Sequence, residues 1–83
     1  MMEEQDVKDQ VIRHVQFLMN ERHWTVYRLA KEAGVPISTV GNLFQRGSCP
    51  SLPLLHKLLE ALGITLSGFF SDIEEENRLQ KNR

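Results

Sequence analysis

The stretch that decides the fold is TVYRLAKEAGVPISTVGNLFQ, residues 25–45. After Thr25, whose hydroxyl suits a helix N-cap, Leu29, Ala30 and Ala33 recur at helical spacing. Trp24 precedes that cap and Leu29 lies four residues beyond it, the spacing of a hydrophobic staple. Gly34 ends the segment as a left-handed C-cap. Pro36 cannot continue the first helix but is comfortable at the start of a second. Val40, Leu43 and Phe44 then repeat the helical spacing until Arg46-Gly47 closes it. Two short helices are therefore predicted, separated only by Gly34-Val35-Pro36.

Working outward, Val7, Val11, Val15, Leu18 and Met19 form one apolar stripe over residues 7–22. On the other side a loop, Ser48-Cys49-Pro50, leads to Ser51, a good cap. Leu54, Leu55, Leu58, Leu59 and Leu62 follow as the strongest apolar stripe of the chain, stopped by Gly63. That stripe is core, since it covers too few heptads for a leucine zipper. Ile64-Thr65 and Phe69 repeat the staple logic and predict a short fifth helix ending near Asp72 or Ile73. The expected division is an acidic N-terminal tail (1–6), one domain (7–73) and a charged C-terminal tail (74–83), frayed or disordered because Leu79 is its only large apolar residue. Alternating β-branched runs and internal repeats are missing, so the class is all-α with five helices.

The 83 residues suffice for one domain and one modest core. Hydrophobic residues make up 41% of the chain, which suits a folded domain and excludes a disordered composition. No apolar run approaches the ~18 residues that span a bilayer, and the acidic start is not a signal peptide, so no membrane partner is expected. The net charge of −1 is unevenly spread. Residues 1–9 sum to −3 and residues 71–83 to −1, while residues 10–70 sum to +3. The central part is thus modestly basic, compatible with phosphate binding though less charged than most DNA-binding domains.

Other chemistries find no foothold. His14, His23 and His56 are scattered, with no carboxylates or cysteines at ligand spacing, so no metal site is expected. The lone Cys49 cannot form an internal disulfide, which points to the reducing cytoplasm, and it reads as an incidental thiol. Nothing assembles a catalytic triad, and so short a chain leaves little room for a sheltered cleft; no enzyme and no cofactor are expected. The Glu74–Glu76 run is a solvated helix face, with Glu74 and Arg78 four residues apart.

Two short helices joined by a three-residue, glycine-led turn are the signature of a helix-turn-helix. Its physical demands are met one by one. Ala30 is small where the helices cross, Gly34 tolerates positive φ in the turn, and Leu29, Val35, Val40 and Leu43 hold both helices to a core. Ser38, Thr39, Gly41, Asn42 and Gln45 give the second helix a short polar outer face, fit to enter a major groove about 12 Å wide.

On these residues the stretch from Trp24 to Phe70 resembles the phage Cro and lambda-repressor-like helix-turn-helix family, the XRE family of bacterial regulators. The resemblance is carried by Thr25, Leu29-Ala30, Gly34-Val35, Ser38-Thr39-Val40 and Leu43, then by Pro50-Ser51-Leu52 and Ala61-Leu62-Gly63-Ile64. It implies a five-helix bundle whose recognition helix is residues 37–45. It also implies base contacts from Ile37, Ser38 and Asn42, with Pro36 and Gly41 close to the DNA. Backbone contacts fall to Thr25, Arg28, Thr39, Arg46 and Ser48, with Val26 beside them. The chemistry fits: Asn42 makes paired hydrogen bonds to adenine, Ser38 serves either base type, and Ile37 suits a thymine methyl. Ile37 equally reads as an ordinary surface residue, and Arg28 and Lys31 as a solvated helix face. Three positions depart from the family pattern. Val26 stands where glutamine is common, Phe44 near a usual glutamate, and Gly41 inside the recognition helix costs about 1 kcal/mol relative to alanine.

The function expected is a cytoplasmic transcriptional regulator, a repressor, binding double-stranded DNA as a homodimer. Phe69, Phe70 and Ile73 would supply a dimer patch if left exposed. The alternative is a protein-interaction module on the same fold, antitoxin-like or binding another regulator. The weak net charge and Val26 favour that alternative, and the polar face of residues 38–45 opposes it.

Overall fold

In the computed structural model, residues 4–81 are described, with side chains described for 7–79. Five helices follow one another: α1 (Glu4–Glu21), α2 (Val26–Ala33), α3 (Ile37–Arg46), α4 (Leu52–Leu62) and α5 (Leu66–Lys81). No strand occurs among the described residues, and no helix is long and apolar enough to cross a membrane. The all-α five-helix architecture is the one expected.

The helix starts are written locally. Thr25 Oγ1 accepts from the Arg28 N–H at 3.1 Å, Ser51 Oγ from Leu54 at 3.3 Å, and Thr65 Oγ1 from Gly68 at 3.0 Å. Each satisfies an N–H that the first helical turn leaves unpaired. Between α2 and α3, Gly34 adopts φ 71° and the Val35 N–H reaches back to the Ala30 carbonyl at 3.1 Å. Such a left-handed residue reverses the chain within three residues and brings α3 across α2. The α1 end uses the same geometry without glycine. His23 stands at φ 57° and the Trp24 N–H closes onto the Met19 carbonyl at 2.9 Å.

α2 packs against α3 and α4, while α1 lies against α4 and α5. The core gathers Val11, Val15, Leu18 and Met19 from α1 with Leu29, Ala30, Val40 and Leu43 from the two short helices. Leu55, Leu58, Leu59 and Leu62 of α4 and Phe69 and Ile73 of α5 complete it. Ala30 is buried at the contact of α2 with its neighbours, where a longer side chain would push the helices apart. Val7, read as part of the α1 stripe, is exposed instead, and Ile12, outside that stripe, is buried.

Two features differ from the expected outline. α1 already begins at Glu4, and α5 continues past Asp72 and Ile73 to Lys81. Beyond its apolar stripe α5 joins a polar pairing between distant segments: the buried Gln10 of α1 donates from Nε2 to Asn77 Oδ1 of α5. Nearby, His14 lies between Phe17 and Phe69, with ring centroids 5.8 and 5.0 Å away, and its Nε2 is 3.5 Å from Asp72 Oδ2. α5 is thus held along α1 by contacts that no local apolar pattern announces. Residues 1–3 of the acidic N-terminal segment, and residues 82 and 83 of the C-terminal one, lie outside the described residues.

Candidate nucleic-acid interface

The site is built on α3, which has one face in the core and the other toward solvent. Val40 and Leu43 are buried, and Ile37, Ser38, Asn42 and Gln45 are exposed. This division follows from 3.6 residues per turn, because positions 37, 38, 41, 42 and 45 fall on one side of the cylinder. Ile37 is 51% exposed, a large apolar side chain displayed at the first position of the helix. No side chain caps that helix start, where Pro36 occupies the cap position, and its first turn holds no acid. The positive end of the helix dipole is therefore left without an internal counter-charge.

Along the C-terminal half of α3, the chain turns at Gly47 and folds back so that the following loop flanks the helix. Thr39, Asn42, Arg46 and Ser48 line one open recess there, together with Cys49 and Ser51. Four of the expected site residues are thereby brought together. Thr39 is half-buried, while Asn42, Arg46 and Ser48 are exposed. Arg46 is the cation of this cluster and has its side chain in solvent.

The other two expected residues sit at the start of α2. Thr25 is exposed and its oxygen already accepts from Arg28 N–H, but a hydroxyl that accepts in a cap still has its proton to donate. Such a donor beside a helix N-terminus suits a phosphate oxygen. Arg28 is engaged within its own helix: Nε donates to Glu32 Oε2 at 2.8 Å, and the guanidinium carbon lies 4.8 Å from the Trp24 ring centroid. It must leave or share these partners to meet a ligand. Val26 is half-buried against the core and so serves packing at the place where the family commonly has a polar residue.

Two residues adjoining the site carried no binding signal in the sequence: Tyr27, 62% exposed on the first turn of α2, and Cys49, which reaches the recess, with the cap Ser51, only because the loop returns toward α3. The central cations divide as well. Arg22, part of the basic count, is turned inward to backbone carbonyls and contributes nothing to an outer surface.

A family model described as helix-turn-helix matches residues 15–69, from the middle of α1 through α2, α3 and α4 to Phe69 of α5. The chain belongs to this helix-turn-helix family. The family is the lambda-repressor-like, XRE-type group of DNA-binding regulators, as the resemblance implied. In helix-turn-helix terms, α2 is the first helix of the motif, Gly34-Val35-Pro36 the turn and α3 the second helix. The α1–α5 pairing of Gln10 with Asn77 lies outside the matched span. No curated protein and no solved structure matches the chain significantly.

Proposed function

We propose that the protein is a cytoplasmic transcriptional repressor that binds double-stranded DNA as a homodimer, with α3 in the major groove. Ile37, Ser38 and Asn42 read base edges, and Thr25, Arg28, Thr39, Arg46 and Ser48 hold the sugar-phosphate backbone. The observation that carries this reading is the outer face of α3: short, polar and uncapped at its positive end, with Thr39, Asn42, Arg46 and Ser48 along one recess. Phosphate contacts from such groups fix register, while Asn42 and Ser38 discriminate between bases.

A ten-residue recognition helix reads about half a site, and two-fold pairing would set its partner roughly 34 Å along the duplex. For pairing, the patch expected from Phe69, Phe70 and Ile73 is not available, since Phe69 and Ile73 are buried and Phe70 half-buried. Val7 and Phe17 of α1 and Leu79 of α5, all exposed, are the apolar groups that these helices offer instead. Repression needs only that the site be occupied, which the bundle can do by itself.

The alternative, a protein-interaction module on the same fold, draws on the engagement of Arg28 by Glu32 and Trp24, which leaves few free cations beside the motif. Binding to random duplex DNA across a salt series separates the two. A DNA-binding protein loses affinity linearly in log salt, with a slope that counts phosphates neutralised. No binding at low salt would sink the DNA reading and leave the interaction module.

A further inference from the structure

Of the five glycines in the chain, Gly41 is the one at which neither a positive φ nor a close neighbour calls for glycine. Gly34, Gly47 and Gly63 stand at positive φ, where L side chains are strained, and a Cβ on Gly68 would lie 3.1 Å from Thr65 Oγ1. Gly41 has ordinary helical backbone within α3, and a Cβ there would meet no atom of another side chain or element within 4 Å. Glycine nevertheless weakens a helix interior relative to alanine. Neither backbone conformation nor internal packing accounts for that cost. A close approach from outside the fold would account for it, and the direction is defined: half-buried Gly41 lies amid the exposed Ile37, Ser38, Asn42 and Gln45.

We propose that Gly41 and Ile37 form an apolar notch in the recognition helix that seats the C5-methyl group of a thymine. This rests on the DNA-binding reading above. Ile37 precedes Gly41 by one helical turn, so its exposed side chain makes one wall of the notch and the bare Cα of Gly41 the floor. In the major groove the methyl group is the only apolar feature of a base edge, and it marks thymine uniquely. Asn42, next in sequence, offers the paired donor and acceptor that adenine takes. The two positions together specify an A·T-containing step.

The test begins with selection of a preferred duplex by the wild-type protein, followed by replacement of each selected thymine by deoxyuridine, which removes only the methyl group. At the seated thymine the replacement should weaken wild-type binding roughly fourfold, the worth of one buried methyl-sized group. Gly41→Ala should raise the melting temperature by roughly 4 to 8 °C. It should also weaken binding to the thymine duplex about tenfold, the lower end of what one misfitted methylene costs. Against the deoxyuridine duplex the variant should recover part of that loss, because the methyl no longer meets the added Cβ. Equal losses from deoxyuridine in both proteins, or unchanged affinity of Gly41→Ala, would overturn the notch while leaving the DNA reading intact. Failure of the wild-type protein to bind any duplex at low salt would remove both.

Discussion

Arg22 ties Leu62 to the end of α1: its guanidinium donates to the Leu62 carbonyl at 2.8 Å and to the Leu18 carbonyl at 2.9 Å. Both acceptors belong to the last turns of helices, where carbonyls lack internal partners and carry partial negative charge. One side chain thus closes α1 and α4 at once. Arg22→Met keeps the apolar stem but removes both donors, and should cost about 2 kcal/mol in urea unfolding. Duplex binding by the folded protein should be unaltered. A cost below about 0.5 kcal/mol would show that water serves those carbonyls equally well.

His23 should respond in the opposite sense. Its φ of 57° places a Cβ in the left-handed region, which costs a non-glycine residue about 1–2 kcal/mol. Glycine removes that strain but adds freedom to the unfolded chain, worth about 0.5–1 kcal/mol against it. His23→Gly should therefore raise the thermal midpoint by a few degrees, read by circular dichroism. Gly34→Ala, at φ 71°, should lower it. Should His23→Gly destabilise, the imidazole makes a contact that outweighs the backbone strain.

How much of this was legible beforehand depends on range along the chain. Thr25, Gly34, Pro36 and Ser51 act on neighbours three to five residues away, so the motif's boundaries could be read from residue types alone. The inward set of Leu29, Ala30, Val40 and Leu43 followed from periodicity. What could not be read is what distant segments do to one another. Gln10 and Asn77 look like two solvated amides until α1 and α5 lie side by side, and they pair where α5 runs past its apolar stripe. Arg22 counts as a surface cation until the end of α4 arrives beside it. The recess around Asn42 likewise needs the loop at Ser48 and Cys49 to fold back, which no spacing rule specifies.

Asn42 and Ser38 are exposed, so replacing both by alanine should change stability by less than about 0.5 kcal/mol. Discrimination between a selected duplex and its base-substituted competitors should fall by about 1–3 kcal/mol for the lost bidentate contact. Arg46→Ala should instead weaken all duplexes alike and reduce the salt slope by about one phosphate. Competition binding at two salt concentrations distinguishes these patterns. An unfolded Ser38→Ala/Asn42→Ala protein would mean that the face assigned to α3 is wrong.

Cys49 offers a footprint of the same surface, as an exposed thiol and the chain's only cysteine. It shares the recess with Asn42 and Arg46, so duplex bound there should shield it. Its reaction with a maleimide, followed by mass spectrometry, should slow several-fold when DNA is added and return when salt dissociates the complex. Equal rates with and without duplex would place the nucleic acid elsewhere.

Trp24, the single tryptophan, has its indole within 4.8 Å of the Arg28 guanidinium, which is itself paired with Glu32. Attraction between a cation and a ring depends on that short distance, and so does the electric field that sets the energy of the indole's excited state. If Arg28 leaves the ring for a phosphate, emission should change in colour or yield with no label attached. The turn that leads into α2 therefore carries its own optical reporter, placed where the first contact with the backbone would be made.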